Sequence, residues 1–233
     1  MKRALIIFFS MFTAMVLLAE ADSLTREPNP ERGPAGANGD QDFHPRLDGY
    51  SAQLEETSQC LTRADCNFPQ TDYAQSVNQE LRAELLDLKA WAQANHIRSF
   101  AVTSVALPYL KIGGGTVRAA ALEVLAGQPT SPESLEAILT DVVSGQDASV
   151  VSQAMQELAR YQNGGDRARI AEALSGAMLS GPPFMAKEIS AGIAPFLDEQ
   201  DFTLFSDAAS ALPEAALVRI NLEAALKDYR GGR

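Results

Sequence analysis

From Ala74 onward, apolar residues fall on one face of a helical period. Ala74, Val77, Leu81, Leu85, Leu88 and Ala92 recur three and four residues apart, which predicts an amphipathic helix over 74–92. Trp91, near its end, is expected to pack inward. A second apolar segment covers 97–112, and Pro108 should kink or interrupt it, because its ring clashes with the preceding turn. Gly113-Gly114-Gly115 then breaks the chain. Short predicted helices alternate with punctuation from there. One over 116–126 ends at Gly127-Gln128-Pro129. The next opens at Ser131-Pro132, with Pro132 in the first turn where a missing N–H costs nothing, and closes at Ser144-Gly145. A third covers 147–162 and stops at Asn163-Gly164-Gly165. Asp166 is placed to N-cap the helix that runs to Leu179. Ser180-Gly181-Pro182-Pro183 precedes a helix ending near Asp198, and 199–212 and 213–229 complete the pattern.

These helices recur. Leu135, Ile138, Leu139 and Val142 form one stripe. The same four positions, 35 residues on, hold Ile170, Ala173, Leu174 and Ala177, and 35 further hold Phe205, Ala208, Ala209 and Leu212. The intervening helices correspond less regularly: Val117, Ala121, Leu125, then Val150, Ala154, Leu158, then Met185, Ile189, Ile193. Alternating helices at this period indicate stacked helix pairs, each burying its apolar face against its neighbours.

The block from Val117 to Ala126 (VRAAALEVLA) resembles the helix signature of HEAT-like repeats, in which a valine, small alanines and a spaced leucine let neighbouring helices approach closely. Gln153-Ala154-Met155-Gln156-Glu157-Leu158-Ala159 echoes it. The resemblance spans 97–212; the period is shorter than usual for HEAT units, and most repeats lack that family's arginine and aspartate positions. Tetratricopeptide repeats match the period better, but their tryptophan, glycine and tyrosine pattern is missing. The expected fold is all-α: an irregular α-solenoid of stacked antiparallel helix pairs over 74–233, with a non-repeating helical bundle as the alternative.

The segments before this region read differently. Lys2 and Arg3 lead an apolar run over 4–18, and Ala19-Glu20-Ala21 offers the small residues that a signal peptidase inspects. Residues 1–21 are therefore expected to be a signal peptide cleaved after Ala21. The run is shorter than the roughly 20 apolar residues of a spanning helix, and no second run approaches that length, so no membrane insertion is expected after cleavage. Residues 22–56 are rich in proline, glycine, asparagine and charge, and read as a disordered tail or linker.

Export changes the reading of the cysteines. In an oxidising compartment Cys60 and Cys66 are expected to form a disulfide closing a loop segment over 57–73. Five residues intervene, so the spacing is not that of a C-x-x-C redox pair. A zinc site needs more ligands than His44 and His96 can add. After cleavage 17 basic face 29 acidic side chains, one more net negative charge than the -11 of the full chain. That charge disfavours nucleic acid and anionic membranes as partners and favours a protein with a basic or mixed-charge surface.

Catalytic signatures are missing: no H-E-x-x-H, G-x-S-x-G elbow or P-loop occurs. The glycine run before Thr116, Val117 and Arg118 could cradle a phosphate at a helix N-terminus, but without a lysine or a preceding strand it reads as a turn between repeats. His96 is expected at a helix C-terminus, where a cation suits the dipole. Glu133, Glu136, Asp141, Asp198, Glu199 and Asp201 read as solvated faces, since carboxylate catalysis needs two acids across a cleft. No cofactor, metal site or catalytic residue is assigned. The expectation is a non-enzymatic, exported protein-binding or scaffold module of the bacterial envelope, periplasmic or secreted. The alternatives are an exported hydrolase using carboxylates and an envelope inhibitor or immunity-type protein.

Overall fold

The computed structural model describes residues 39–232, apart from 146, 163 and 164. The expected signal peptide with Ala19 and Ala21, and the stretch 22–38, lie outside the described residues. Contacts divide the chain after Phe43, and the architecture below is that of the unit from His44 onward. The fold is all-α, with no strand among the described residues. The helices are α1 Gly39–Arg63, α2 Tyr73–Ala94, α3 Phe100–Ala106, α4 Gly115–Ala126, α5 Pro132–Ala137, α6 Val151–Leu158, α7 Arg167–Ser180, α8 Pro183–Ala191, α9 Phe202–Ala211 and α10 Leu217–Gly231. No described helix is long and apolar enough to cross a membrane.

The first difference from the sequence reading is α1. The expected tail over 22–56 and loop over 57–73 give way, from Gly39, to a helix that continues to Arg63. Its stripe is Leu47, Tyr50, Leu54, Thr57 and Leu61, spaced three and four apart, with Leu47, Leu54 and Thr57 buried. Tyrosine and threonine at two of five positions dilute the hydrophobic signal. The stripe lies on α2: the Tyr50 and Trp91 rings are 5.5 Å apart, and the Thr57 hydroxyl donates to Glu84 Oε1 at 2.7 Å. One sequence number rises as the other falls, so the two helices run antiparallel. Trp91 is half-buried in that contact. Cys60 and Cys66 are at bonding distance, S–S 2.02 Å and Cα–Cα 5.7 Å, and close the turn between α1 and α2. The Tyr73 hydroxyl ties the same turn, accepting from the Cys66 N–H and donating to the Cys60 carbonyl.

Five of the six α2 stripe positions are buried; Ala74, at the frayed first turn, is exposed. The helix stops through a Schellman arrangement. The N–H of Ile97 bonds to the Ala92 carbonyl at 2.8 Å and that of His96 to Gln93 at 3.1 Å, with His96 left-handed at φ 54. His96 thus ends α2 through its backbone, in the conformation that glycine adopts without a Cβ penalty, and its side chain is exposed. His96→Gly is expected to raise stability by about 0.5–1 kcal/mol. A higher urea midpoint with an unchanged slope would confirm it; a lower midpoint would show that the imidazole, not the backbone, secures the turn.

Ser99 caps α3 by accepting from the Ala101 N–H, and Pro108 converts the end of that segment into a 3-10 turn over Leu107–Leu110. Ser131 caps α5, with Pro132 at its first position, and α5 runs on into a π-helical turn over Ile138–Val143. Asp166 sits at the cap of α7 but is itself in the α region and makes no cap bond, contrary to the expectation. Two C-terminal helices are shorter than read. α8 ends at Ala191 before a 3-10 turn over Ala194–Phe196, and the chain between Leu212 and α10 turns at Pro213.

The helices fall into two interleaved sets. α2 packs on α4, α4 on α6, α6 on α8 and α8 on α10; α5 and its π turn pack beside the 3-10 turn after α3, then α7, and α7 on α9. The stripes face these contacts. All nine of Val117, Ala121, Leu125, Val150, Ala154, Leu158, Met185, Ile189 and Ile193 are buried. In the other set Leu135, Ile170 and Phe205 are fully enclosed, while Ala173, Ala177 and Leu212 are half-buried.

Candidate functional site

Polar side chains join several helices to the one a stride further along the chain. Lys89 on α2 reaches Glu123 on α4 at 2.6 Å. Gln153 on α6 donates to the Ala119 carbonyl of α4 at 3.0 Å. Arg160, just past α6, caps the C-terminal end of α4 by donating to the Leu125 and Gln128 carbonyls, and pairs with Glu157. Gln128 passes the connection on, accepting from the Ser99 N–H at 2.9 Å. Arg167 grips Asp198 at 2.7 Å and Asp201 at 2.9 Å, and Asn221 donates to Ser190.

The first of these pairs line a groove of 710 Å³ across α2, α4 and α6. Leu122, Ala126 and Gly127 line it, together with the exposed side chains of Gln93, Ser152 and Gln156. Two charge pairs lie in it, Lys89–Glu123 and Arg160–Glu157, so its formal charge cancels. Glu157 is 3% exposed, and Arg160 reaches in from the surface to meet it. Smaller hollows of 440 and 280 Å³ lie beside α10, against α8 and against α9.

The acids singled out in the sequence do not assemble. Glu136 pairs with Arg169 on the neighbouring helix. Glu133 is exposed in the first turn of α5, where its own backbone N–H and the Ser131 hydroxyl hold its pKa below the usual value. Asp198 and Asp201 do meet, but on Arg167, which occupies both. Glu199 is exposed and Asp141 half-buried. His44 lies on α1; the antiparallel register brings its turn toward the end of α2 that carries His96. Among the described residues no group of three His, Cys, Asp or Glu is placed to hold a metal.

The glycine run is a packing device. Gly113 is left-handed at φ 86, and the Gly114 N–H donates to Asn78 Oδ1 of α2 at 2.9 Å. A Cβ on Gly115 would overlap the Asp147 carboxylate and Ser149 hydroxyl. The start of α4 is therefore already met by an amide and a carboxylate, which leaves a phosphate poorly received there.

A carboxyl with a pKa raised by burial lies away from the groove, between α1 and α2. Burial pushes the Glu84 pKa above its usual 4.5, against the Thr57 hydrogen bond that lowers it, and Glu80 and Glu56 push it further up. Its Oε2 has no partner. Between the unfolded and the raised folded pKa the native state holds the extra proton, so stability falls as pH rises through that window. The difference in urea midpoint between the native protein and Glu84→Gln should therefore shift toward the native protein on going from neutral pH to about pH 5. An unchanged difference would mean that Glu84 is ionised at no cost.

None of Lys89, Glu123, Gln153, Glu157 or Arg160 stands out in the sequence as a site. The available signal was their spacing: 89 to 123, 119 to 153 and 125 to 160 all separate by the stride of the apolar stripes. Compared with known proteins, the chain matches no known family, no curated protein and no solved structure.

Proposed function

We propose that this chain is an exported protein-binding module of the bacterial envelope, periplasmic after cleavage at Ala21, built as an irregular HEAT-like α-solenoid. The observation that carries the reading is the stride: side chains bond across helices at separations of 34 and 35 residues, in register with the apolar stripes. Stacked units of that kind present extended surfaces rather than a single enclosed pocket. The groove suits binding better than hydrolysis, because its two carboxylates, Glu123 and Glu157, each hold a cation of the protein's own. The net charge, about equally strong before and after cleavage, favours a partner with basic or mixed character.

Two measurements test the reading. N-terminal sequencing of the protein from the periplasmic fraction should begin at Asp22; a chain retained in the cytoplasm with Met1 intact overturns export. Photo-crosslinkers placed along both helix sets should yield one reproducible adduct with an envelope protein. Repeated failure at every position of both helix sets would remove the binding module.

A further inference from the structure

We infer that the groove across α2, α4 and α6 takes an extended polypeptide segment of mixed charge, held chiefly through its main chain. This rests on the protein-binding reading above and specifies the form of the partner. The first reason is the hydrogen-bonding inventory. Gln93, Ser152 and Gln156 are exposed along the groove, and amides and hydroxyls each donate and accept. An extended chain presents alternating N–H and C=O groups that need such partners, whereas a helical partner satisfies its own. The second is reach. Bonded positions rise together, 78 with 114 and 89 with 123, then 119 with 153 and 125 with 160, so α2, α4 and α6 run parallel. Neighbouring axes 8–10 Å apart place α2 and α6 roughly 16–20 Å apart, the length of about five or six extended residues.

Charge and shape narrow the class further. Both ion pairs are internally balanced, so a run of like charges gains nothing from the groove. Lys89 and Glu123 are only partly buried, 29% and 38% exposed, and can re-pair with one acid and one base on a ligand. No described residue lining the groove is aromatic, which removes the stacking surface that nucleobases use. Ala126 and Gly127, which have little or no side chain, let a main chain approach the groove closely.

The test uses the mature protein and a displayed library of random hexapeptides, followed by anisotropy on the best synthetic peptide. Ser152→Trp, which fills the groove from an exposed position, should weaken binding by more than about tenfold. Gln156→Ala should weaken it by about three- to tenfold, the loss of one hydrogen bond, and Asp207→Ala on α9 should leave it unchanged. N-methylation of the peptide at alternate residues should reproduce the loss, because it removes main-chain donors without altering side chains. Failure to select any peptide, equal binding by Ser152→Trp, or indifference to N-methylation overturns the inference. An envelope crosslink mapped to the α7–α9 face would overturn it too, while leaving the binding-module reading in place.

Discussion

Leu54→Ala should lower the stability of the protein by about 2–4 kcal/mol, the usual range for truncating an enclosed leucine. For a chain of this size that corresponds to a fall in Tm on the order of 10 °C. Leu54 is fully buried, on the stripe that α1 lays over α2. The loss combines the transfer of the removed methyl groups with the cavity left beneath them. The cavity should relax poorly, because α1 is fixed on both sides of it: by Tyr50 against Trp91 and by Thr57 on Glu84. Glu55→Ala, one residue on and exposed, serves as the control and should change stability by less than about 0.5 kcal/mol. If both substitutions are neutral in urea unfolding, residues up to 56 are a tail and α1 is not part of the core.

Arg160→Ala should cost about 2–3 kcal/mol, more than Glu157→Ala. The asymmetry follows from which partner is enclosed. Glu157 is 3% exposed while Arg160 is 29% exposed, so removing the arginine strands a buried carboxylate, the costly way to break such a pair. Water reaching the arginine side keeps the loss below the 3–5 kcal/mol typical of fully buried pairs. The same substitution frees the Leu125 and Gln128 carbonyls at the end of α4. In Glu157→Ala the arginine keeps those carbonyls and its water, and about 1 kcal/mol is expected. Chemical denaturation of both variants measures the difference. Equal losses would mean that the shared ion pair carries the energy, with nothing added by the stranded carboxylate or the freed carbonyls.

Much of this fold is legible without coordinates. The stripe of α2, the breaks at Gly113 and Gly127 and the Ser131-Pro132 start depend on residues close in sequence, and the stride is the recurrence of such local patterns. Helical periodicity and turn chemistry are local, so they are written locally. The buried positions of the recurring stripes follow from the same logic, since a helix with one apolar face has only one way to hide it. Asp166 departs from the local reading, with the residue type of a cap but not the backbone conformation, whereas His96 stands at the end of α2 as expected, in the left-handed conformation.

The sequence by itself thus determined the secondary-structure class, the stride and the disulfide-competent pair Cys60 and Cys66. It also raised the expectations of export and partner binding. Only the tertiary structure decided that α1 is a helix of the core. Its stripe contains Tyr50 and Thr57, which look too polar until Trp91 and Glu84 are placed opposite them, and a single helix face is stabilised chiefly by what it packs on. The groove was decided at the same level. Gln153, Glu157 and Arg160 are ordinary polar residues on a helix; they become one site only because stacking brings side chains 34 and 35 residues apart within bonding distance.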